Sequence, residues 1–313
     1  ASEFAQVLRL LGETLGVRAP DRCAVAIAVQ DQQAVVAFAD ATGAVGGQYT
    51  AALAAPALEL DARTLVPPAI AARLIGCDRV AVLTRAPALG AGRLLPPALA
   101  WSFVLSRVPG DAAPPALAGS RLVVANPEPP PDLQLPPLGP DPEAAAEANE
   151  PAVSGRVVLR GADATPARVL QAMRDAAVIE LHSHGVIAND ASEASYLVLS
   201  PEPDGAYKLT ANDIEHVKLA AAPLVILGAC HAATSSRSLE GGIGLPEAFL
   251  RSGARAVIAS PDAVQDLGAR EFFAGVRDRV MHGADPAIAV RDERLQRVGL
   301  HDRSWISGVV VFE

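Results

Sequence analysis

The sequence predicts an α/β fold, a three-layer sandwich with a mostly parallel central sheet and helices on both faces. Three observations carry that expectation. From residue 156 onward, strand-like and helix-like stretches alternate regularly. The strand-like runs lack polar alternation, as strands covered on both faces do. The 313-residue chain is 50% hydrophobic but only 4% aromatic, so its core rests on Ala and Val and its layers can pack closely. A chain of this length buries roughly 70–75% of its unfolded surface, enough for one large domain or two abutting lobes.

The elements follow in order. Residues 2–16 carry Phe4, Val7, Leu8, Leu10, Leu11 and Leu15 in a helical pattern, ending near Gly16. Residues 23–29 and 34–39 read as an antiparallel pair at a sheet edge. Residues 51–76 are Ala-rich and helical, broken by Pro67 and Pro68. Residues 79–84 are a buried-strand candidate. The stretch 86–119 is rich in Pro and Gly, with a helix-like piece over residues 99–105. Residues 120–126 form a strand. The Pro-rich run from Pro127 to Pro137 reads as an extended surface loop or linker, and 140–152 as a short acidic helix or mobile segment.

Residues 156–159 are a short strand. Thr165 and Pro166 start a helix as N-cap and first helical residue, with Val169, Leu170 and Met173 as its buried stripe. Residues 176–182 and 196–200 are strands. Thr210 caps a helix with Asp213 three residues on. Strands are expected at 223–229, 254–260 and 306–312. Helices are expected at 243–252, 267–281 and 286–298.

Composition narrows the class. The formal net charge is -9, without the basic footprint of a nucleic-acid binder. Cys23, Cys77 and Cys230 are too few and scattered for a disulfide scaffold, and the first two read as small buried hydrophobes. The six histidines show no structural-zinc spacing with them, so no metal is expected. No GxGxxG loop follows an early strand, so no dinucleotide cofactor is expected either. Neither a signal sequence nor a membrane-length apolar run is visible. The expectation is a cytoplasmic protein with no membrane partner.

The chemistry sits in two stretches, Glu180-Leu-His-Ser-His184-Gly185 and Leu224-Val-Ile-Leu-Gly-Ala-Cys230-His231. Each is an apolar strand that breaks into small residues at a reactive side chain. Ligands in parallel α/β sheets bind beyond the carboxyl ends of the strands. A thiol there needs a base to become a nucleophile at neutral pH. His184 is the candidate base, with His182 and His231 as alternatives. The backbone N–H groups of Gly185 and Cys230 are candidates for an oxyanion hole; Gly185 would also suit a turn of positive φ. Asp262, Asp266, Glu240 and Asp190, with Glu193, are carboxylates expected at the cleft rim. They would suit a pocket for substrate Arg or Lys. A pocket for Asp would instead use Arg237 or Arg255.

These pieces resemble the CHAT domain, a caspase-like cysteine peptidase family related to separases and metacaspases. The similar segments run in order from Leu122 to the C-terminus. They include Asn126-Pro127, residues 161–165, His184-Gly185, Leu224 to Cys230, the glycine-rich residues 240–245, residues 248–250 and 253–260, Val264-Gln-Asp266, and Trp305 in the last strand. The resemblance implies a caspase-type sandwich, His184 as base, Cys230 as nucleophile, and no third catalytic carboxylate. It divides the chain into an N-terminal variable lobe, 1–119, and a catalytic lobe, 120–313, with a Pro-rich surface loop over 127–151. Two departures stand out. Glu180 and His182 replace a common His and a small residue, and Pro261-Asp262-Ala263 replaces a common Leu-Trp-Pro.

The expectation is therefore a cysteine endopeptidase acting on protein or peptide substrates, cleaving after a basic residue, under an activating or regulatory domain or protein. The alternative is a catalytically silent caspase-like module that binds or signals within a larger protein.

Overall fold

The computed structural model describes residues 2–30, 33–50, 65–105, 117, 119–139, 155–187, 195–234, 243–297 and 304–313. The first part supplies helix α1 (Ser2–Leu15), strands β1 (Ala24–Gln30), β2 (Gln33–Ala39) and β3 (Val45–Thr50), helix α2 (Pro68–Arg73), and strands β4 (Val80–Thr84) and β5 (Trp101–Phe103). Next come β6 (Ser120–Ala125), β7 (Arg156–Arg160), α3 (Pro166–Met173), β8 (Ala176–His182), β9 (His184–Ile187), β10 (Ser195–Val198), β11 (Lys208–Thr210) and α4 (Ala211–Glu215). The chain closes with β12 (Leu224–Leu227), α5 (Leu245–Arg251), β13 (Ala256–Ala259), α6 (Asp266–Met281), α7 (Pro286–Arg297) and β14 (Val310–Phe312).

An 11-stranded sheet runs in the order β3-β2-β1-β4-β5-β14-β13-β12-β8-β6-β7. Its first three strands form an antiparallel meander, and β14 runs against β13. Every other neighbouring pair is parallel. Successive residues of a strand point to opposite faces, and both faces are filled. On one face Val225, Leu227, Val257 and Ile179 meet Val169 and Met173 of α3 and Phe249 of α5. On the other, Leu224, Ile226, Ala256 and Ile258 meet Phe272, Phe273 and Val276 of α6 and Val290 of α7. Alanines 24, 26, 37 and 39 leave room for Leu8 of α1 to approach. No described helix is long and apolar enough to cross a membrane.

Several expected details hold. Thr210 and Asp213 form a reciprocal capping box, and Thr165 with Pro166 starts α3. Others change. The helix-like piece at 99–105 is β5, in the middle of the sheet. Trp101 and Phe103, two residues apart, share a face only in a strand, where Phe103 stacks on Phe312 at 5.3 Å. The β1–β2 hairpin is not the edge, because β3 adds outside it. That strand lacked a signal because two of its residues are Gly46 and Gly47, which admit the rings of Phe38 and Phe4. The last strand is short: Trp305 lies in a 3-10 turn, Ser304–Gly308. Strands β9 and β11, unforeseen, flank β10 in a separate three-stranded antiparallel sheet.

The sheet runs unbroken across the lobe boundary drawn at 119 and 120, since β5 of the first part pairs with β14. The seam is tied by buried charge. Arg79 meets both Asp285 and Glu313, and Ser102 donates to Glu313 Oε2 at 2.9 Å.

Cys23 and Cys77 are not separate buried thiols but a disulfide, with Cα atoms 5.6 Å apart. The cause is the parallel pairing of β1 with β4, in which Ala24 stands opposite Ala81. The cysteines precede these two neighbouring strands, so both lie at the same end of the sheet. Spacing of 54 residues gave no hint of it. Replacing Cys23 with Ser should lower the unfolding free energy by about 2–4 kcal/mol, read from urea denaturation without reductant. Reduction of the unaltered chain should give a matching loss, and identical midpoints in all three samples would refute the bridge.

Candidate active site

Three parallel strands place the site. β8 and β12 pair with Leu181 opposite Leu227, and β12 and β13 pair with Leu227 opposite Ala259. His184, Cys230 and Asp262 each lie equally far beyond those paired residues. The register thus delivers one imidazole, one thiol and one carboxylate to a single row along the carboxyl edge of the sheet.

His184 opens β9 and is partly exposed. Its ring Nε2 lies 2.8 Å from the carbonyl oxygen of Pro136. A carbonyl only accepts, so Nε2 carries the hydrogen and Nδ1 is the nitrogen left to act as a base. The Pro-rich stretch is therefore no free linker over its described part. Its end is fixed as well, because Asn126 Nδ2 and Arg270 both donate to the Gly139 carbonyl, at 3.1 and 3.0 Å. Residues 140–151 of that expected loop lie outside the described residues. A main-chain carbonyl has no side-chain signature, so sequence reasoning had no means to find Pro136.

Cys230 is a free, partly buried thiol. Its sulfur faces the backbone of Val264, accepting from the N–H at 3.4 Å and lying 3.8 Å from the carbonyl oxygen. Gly185 packs directly on the Cys230 backbone, and a Cβ there would overlap the Cys230 carbonyl oxygen. The glycine is needed for this close approach, not for a positive φ. Through it the chain after His184 touches the chain carrying the thiol.

The two other candidate bases also have partners. His231, at φ 56°, donates from Nδ1 to the Pro261 carbonyl at 2.9 Å. His182 is buried and sits on Gly228, where a Cβ would strike its ring. Its Nε2 is 3.6 Å from Glu180 Oε2. Glu180 is 2% exposed and also meets Arg121 at 2.5 Å and Arg277 at 3.3 Å. Burial pushes the Glu180 carboxyl up and is the largest single influence. His182 and the two guanidinium groups together outweigh it and hold the carboxyl down at about 2. Glu180 thus forms a buried ion cluster with Arg121 and Arg277, with His182 beside it.

Of the expected pocket carboxylates, Asp190 and Glu240 lie outside the described residues, as do Glu193 and Arg237. Asp266 is the first residue of α6, and its side chain is not described. Arg255 donates to the Ala222 carbonyl at 2.8 Å. Asp262 stands beside Cys230, its carbonyl accepting from the His231 N–H at 3.2 Å. Its carboxylate is already partnered, with Arg93 at 2.8 Å. Among the described residues no cluster of three His, Cys, Asp or Glu could hold a metal ion.

This arrangement defines a caspase-like α/β protein with a cysteine and a histidine at the carboxyl ends of neighbouring strands. The CHAT domain family model matches residues 95–304, well over half of the chain, and the chain belongs to that family. The match begins before Ser120 and takes in β5. No curated protein matches in sequence. Among solved structures, the separase–securin complex of Saccharomyces cerevisiae is similar over 75% of this chain and 15% of that one, at 12% identity and a TM-score of 0.50. The Arg-specific cysteine proteinase gingipain R is matched over 63% of this chain and 46% of that one, at 13% identity and a TM-score of 0.42. Its complex of pro- and mature domains from Porphyromonas gingivalis gives 11% identity and 0.43. The chain spans less than half the length of each, and the separase likeness shows the fold alone.

The buried ion cluster has a measurable pH signature. Glu180 has a folded pKa below its ordinary value of 4.5. Its contribution to stability is therefore complete above about pH 4.5 and lost as pH falls toward 2. Glu180→Gln should destabilise the chain by about 3 kcal/mol at pH 7 and by less at pH 3. Denaturant titrations at the two pH values check this, and an equal loss at both would contradict the ion cluster.

Proposed function

We propose that the chain is a cysteine endopeptidase working through Cys230 and His184. The single observation that carries this reading is the Pro136 carbonyl on His184 Nε2. It fixes the ring tautomer that leaves Nδ1 to take a proton, at the point where β9 meets the thiol's own backbone. A base held by a third group is the arrangement an activated nucleophile requires.

In the proposed reaction His184 Nδ1 accepts the Cys230 proton, and the sulfur attacks the scissile carbonyl carbon. The N–H groups of Gly185 and Cys230 would stabilise the oxyanion. The imidazolium returns its proton to the leaving amine as the C–N bond breaks. Water, deprotonated by the same imidazole, then hydrolyses the thioester and restores the thiol. No carboxylate is asked to orient the base, because the Pro136 carbonyl does so. The substrate class is a protein or peptide, and an activating domain or partner belongs to the same proposal.

The sequence-based expectation of a basic residue before the cleaved bond rests, among described side chains, on Asp262. That carboxylate would have to be released by Arg93 before a substrate guanidinium could use it.

Cys230→Ala and His184→Ala should each reduce cleavage of a diverse peptide library by at least about 100-fold, with unchanged circular dichroism. His182→Ala should cost less. Full turnover by His184→Ala would remove it as the base. Alkylation of Cys230 by iodoacetamide, slowed in His184→Ala, would support the dyad. No cleavage together with equal alkylation rates would favour the catalytically silent module.

A further inference from the structure

An open pocket of about 410 Å³ is lined by Arg93, Asp262, Ala263, Gln265, Ser304 and Trp305. Ala263 and Gln265 flank Val264, whose backbone faces the Cys230 sulfur. The pocket wall is therefore continuous in sequence with the residue that contacts the Cys230 sulfur. The two charged groups of its lining face each other. Arg93 is 2.8 Å from Asp262 Oδ2 and donates to the Ser304 carbonyl at 3.0 Å. Both side chains are about one third exposed, at 32% and 33%.

The pairing is built into the backbone. Arg93 precedes the 120–313 region and crosses to the site on a loop seated by two glycines. A Cβ on Gly92 would come within 2.6 Å of the Gly308 carbonyl oxygen, and one on Gly308 would overlap the Asp262 carboxylate. Neither position leaves space for a side chain. Arg93 itself holds φ at 59°, a conformation with a cost for any residue that carries a Cβ. The loop thus presents the guanidinium to Asp262 at a high effective concentration.

We propose that Arg93 is the specificity-determining residue of this pocket. By holding Asp262 it balances the charge, so that the pocket takes an uncharged side chain and turns away both a guanidinium and a carboxylate. A substrate Arg must displace Arg93 and then share the pocket with the released cation. A substrate Asp must displace Asp262 and meets the same penalty with the opposite sign. Trp305 and Ala263 offer apolar contact, and Gln265 and Ser304 offer polar contact, to a neutral side chain. This inference rests on the proposed peptidase reading only in treating the pocket as the place for a side chain beside the cleaved bond.

Binding tests it without chemistry. Fluorescently labelled Ala-Ala-Xaa-amide peptides, with Xaa as Gln, Arg or Asp, are titrated against the Cys230→Ala chain. The same is done after adding Arg93→Gln or Asp262→Asn. Gln at position 93 adds no new backbone strain and Asn keeps the shape of Asp; melting temperatures are measured beside the affinities, so that a loss of folding is told apart from a change in selectivity. The parent should favour the Gln peptide. Arg93→Gln should tighten the Arg peptide about fivefold or more, and Asp262→Asn should do the same for the Asp peptide. The double variant should show neither gain. Affinities that do not change with residue 93, or a parent that already prefers Arg, would overturn the proposal. Turnover by the chain with Cys230 intact is read separately. A charge switch in binding without any turnover would sink the peptidase reading and leave the pocket assignment standing.

Discussion

The site depends on the parallel register of three strands. With Leu181 opposite Leu227 and Leu227 opposite Ala259, residues equally far along each chain emerge together at one edge. His184, Cys230 and Asp262 are those residues. A slip of one position would turn every side chain of the moved strand to the opposite face. In β8 it would also turn Glu180 and His182 away from Arg277 toward the face packed with Phe249. Burial on both faces therefore fixes the register, and the register brings the reactive groups into one row.

Beneath that row the protein keeps charges where an ordinary core has none. Glu180 is shared by Arg121, Arg277 and His182. Further along α6, Arg270 reaches Asn126 at 2.5 Å and the Gly139 carbonyl. One helix therefore ties β8, the end of β6 and the strap that follows it. The strap is the segment whose Pro136 carbonyl meets His184. Such buried ions add little net stability over apolar packing, but removing one partner is costly. In this fold they connect helix, sheet and strap, so the orientation of the imidazole is linked to the packing of α6.

The first part of the chain is not an accessory to the second. Its β5 shares the sheet with β14, and Arg79 closes on Asp285 and Glu313 across that seam. Its loop carries Arg93 to Asp262 beside the thiol. The pocket is completed by a residue distant in sequence from the rest of the site. Variation in the first part can therefore change the charge beside Asp262 without touching the cysteine or histidine.

The strand ends at His184 and Cys230 were legible in the sequence because apolar runs that break at a reactive residue are local signals. So were the capping box of α4, the long helices α6 and α7, and the parallel character of the sheet. Each follows from periodicity or from neighbours a few residues apart. Tertiary structure alone decided the rest. Trp101 and Phe103 became a central strand because their sheet neighbours, not their local spacing, set their face. Cys23 and Cys77 met because β1 and β4 pair in parallel. The Pro136 carbonyl reached His184 through a backbone atom that carries no sequence signal. Asp262 looked like a free carboxylate until Arg93 was seen beside it. Contacts between segments far apart in sequence, and contacts made by backbone atoms, have no pattern in a single chain. They form only when packing on both faces of the sheet has chosen which strand ends are neighbours.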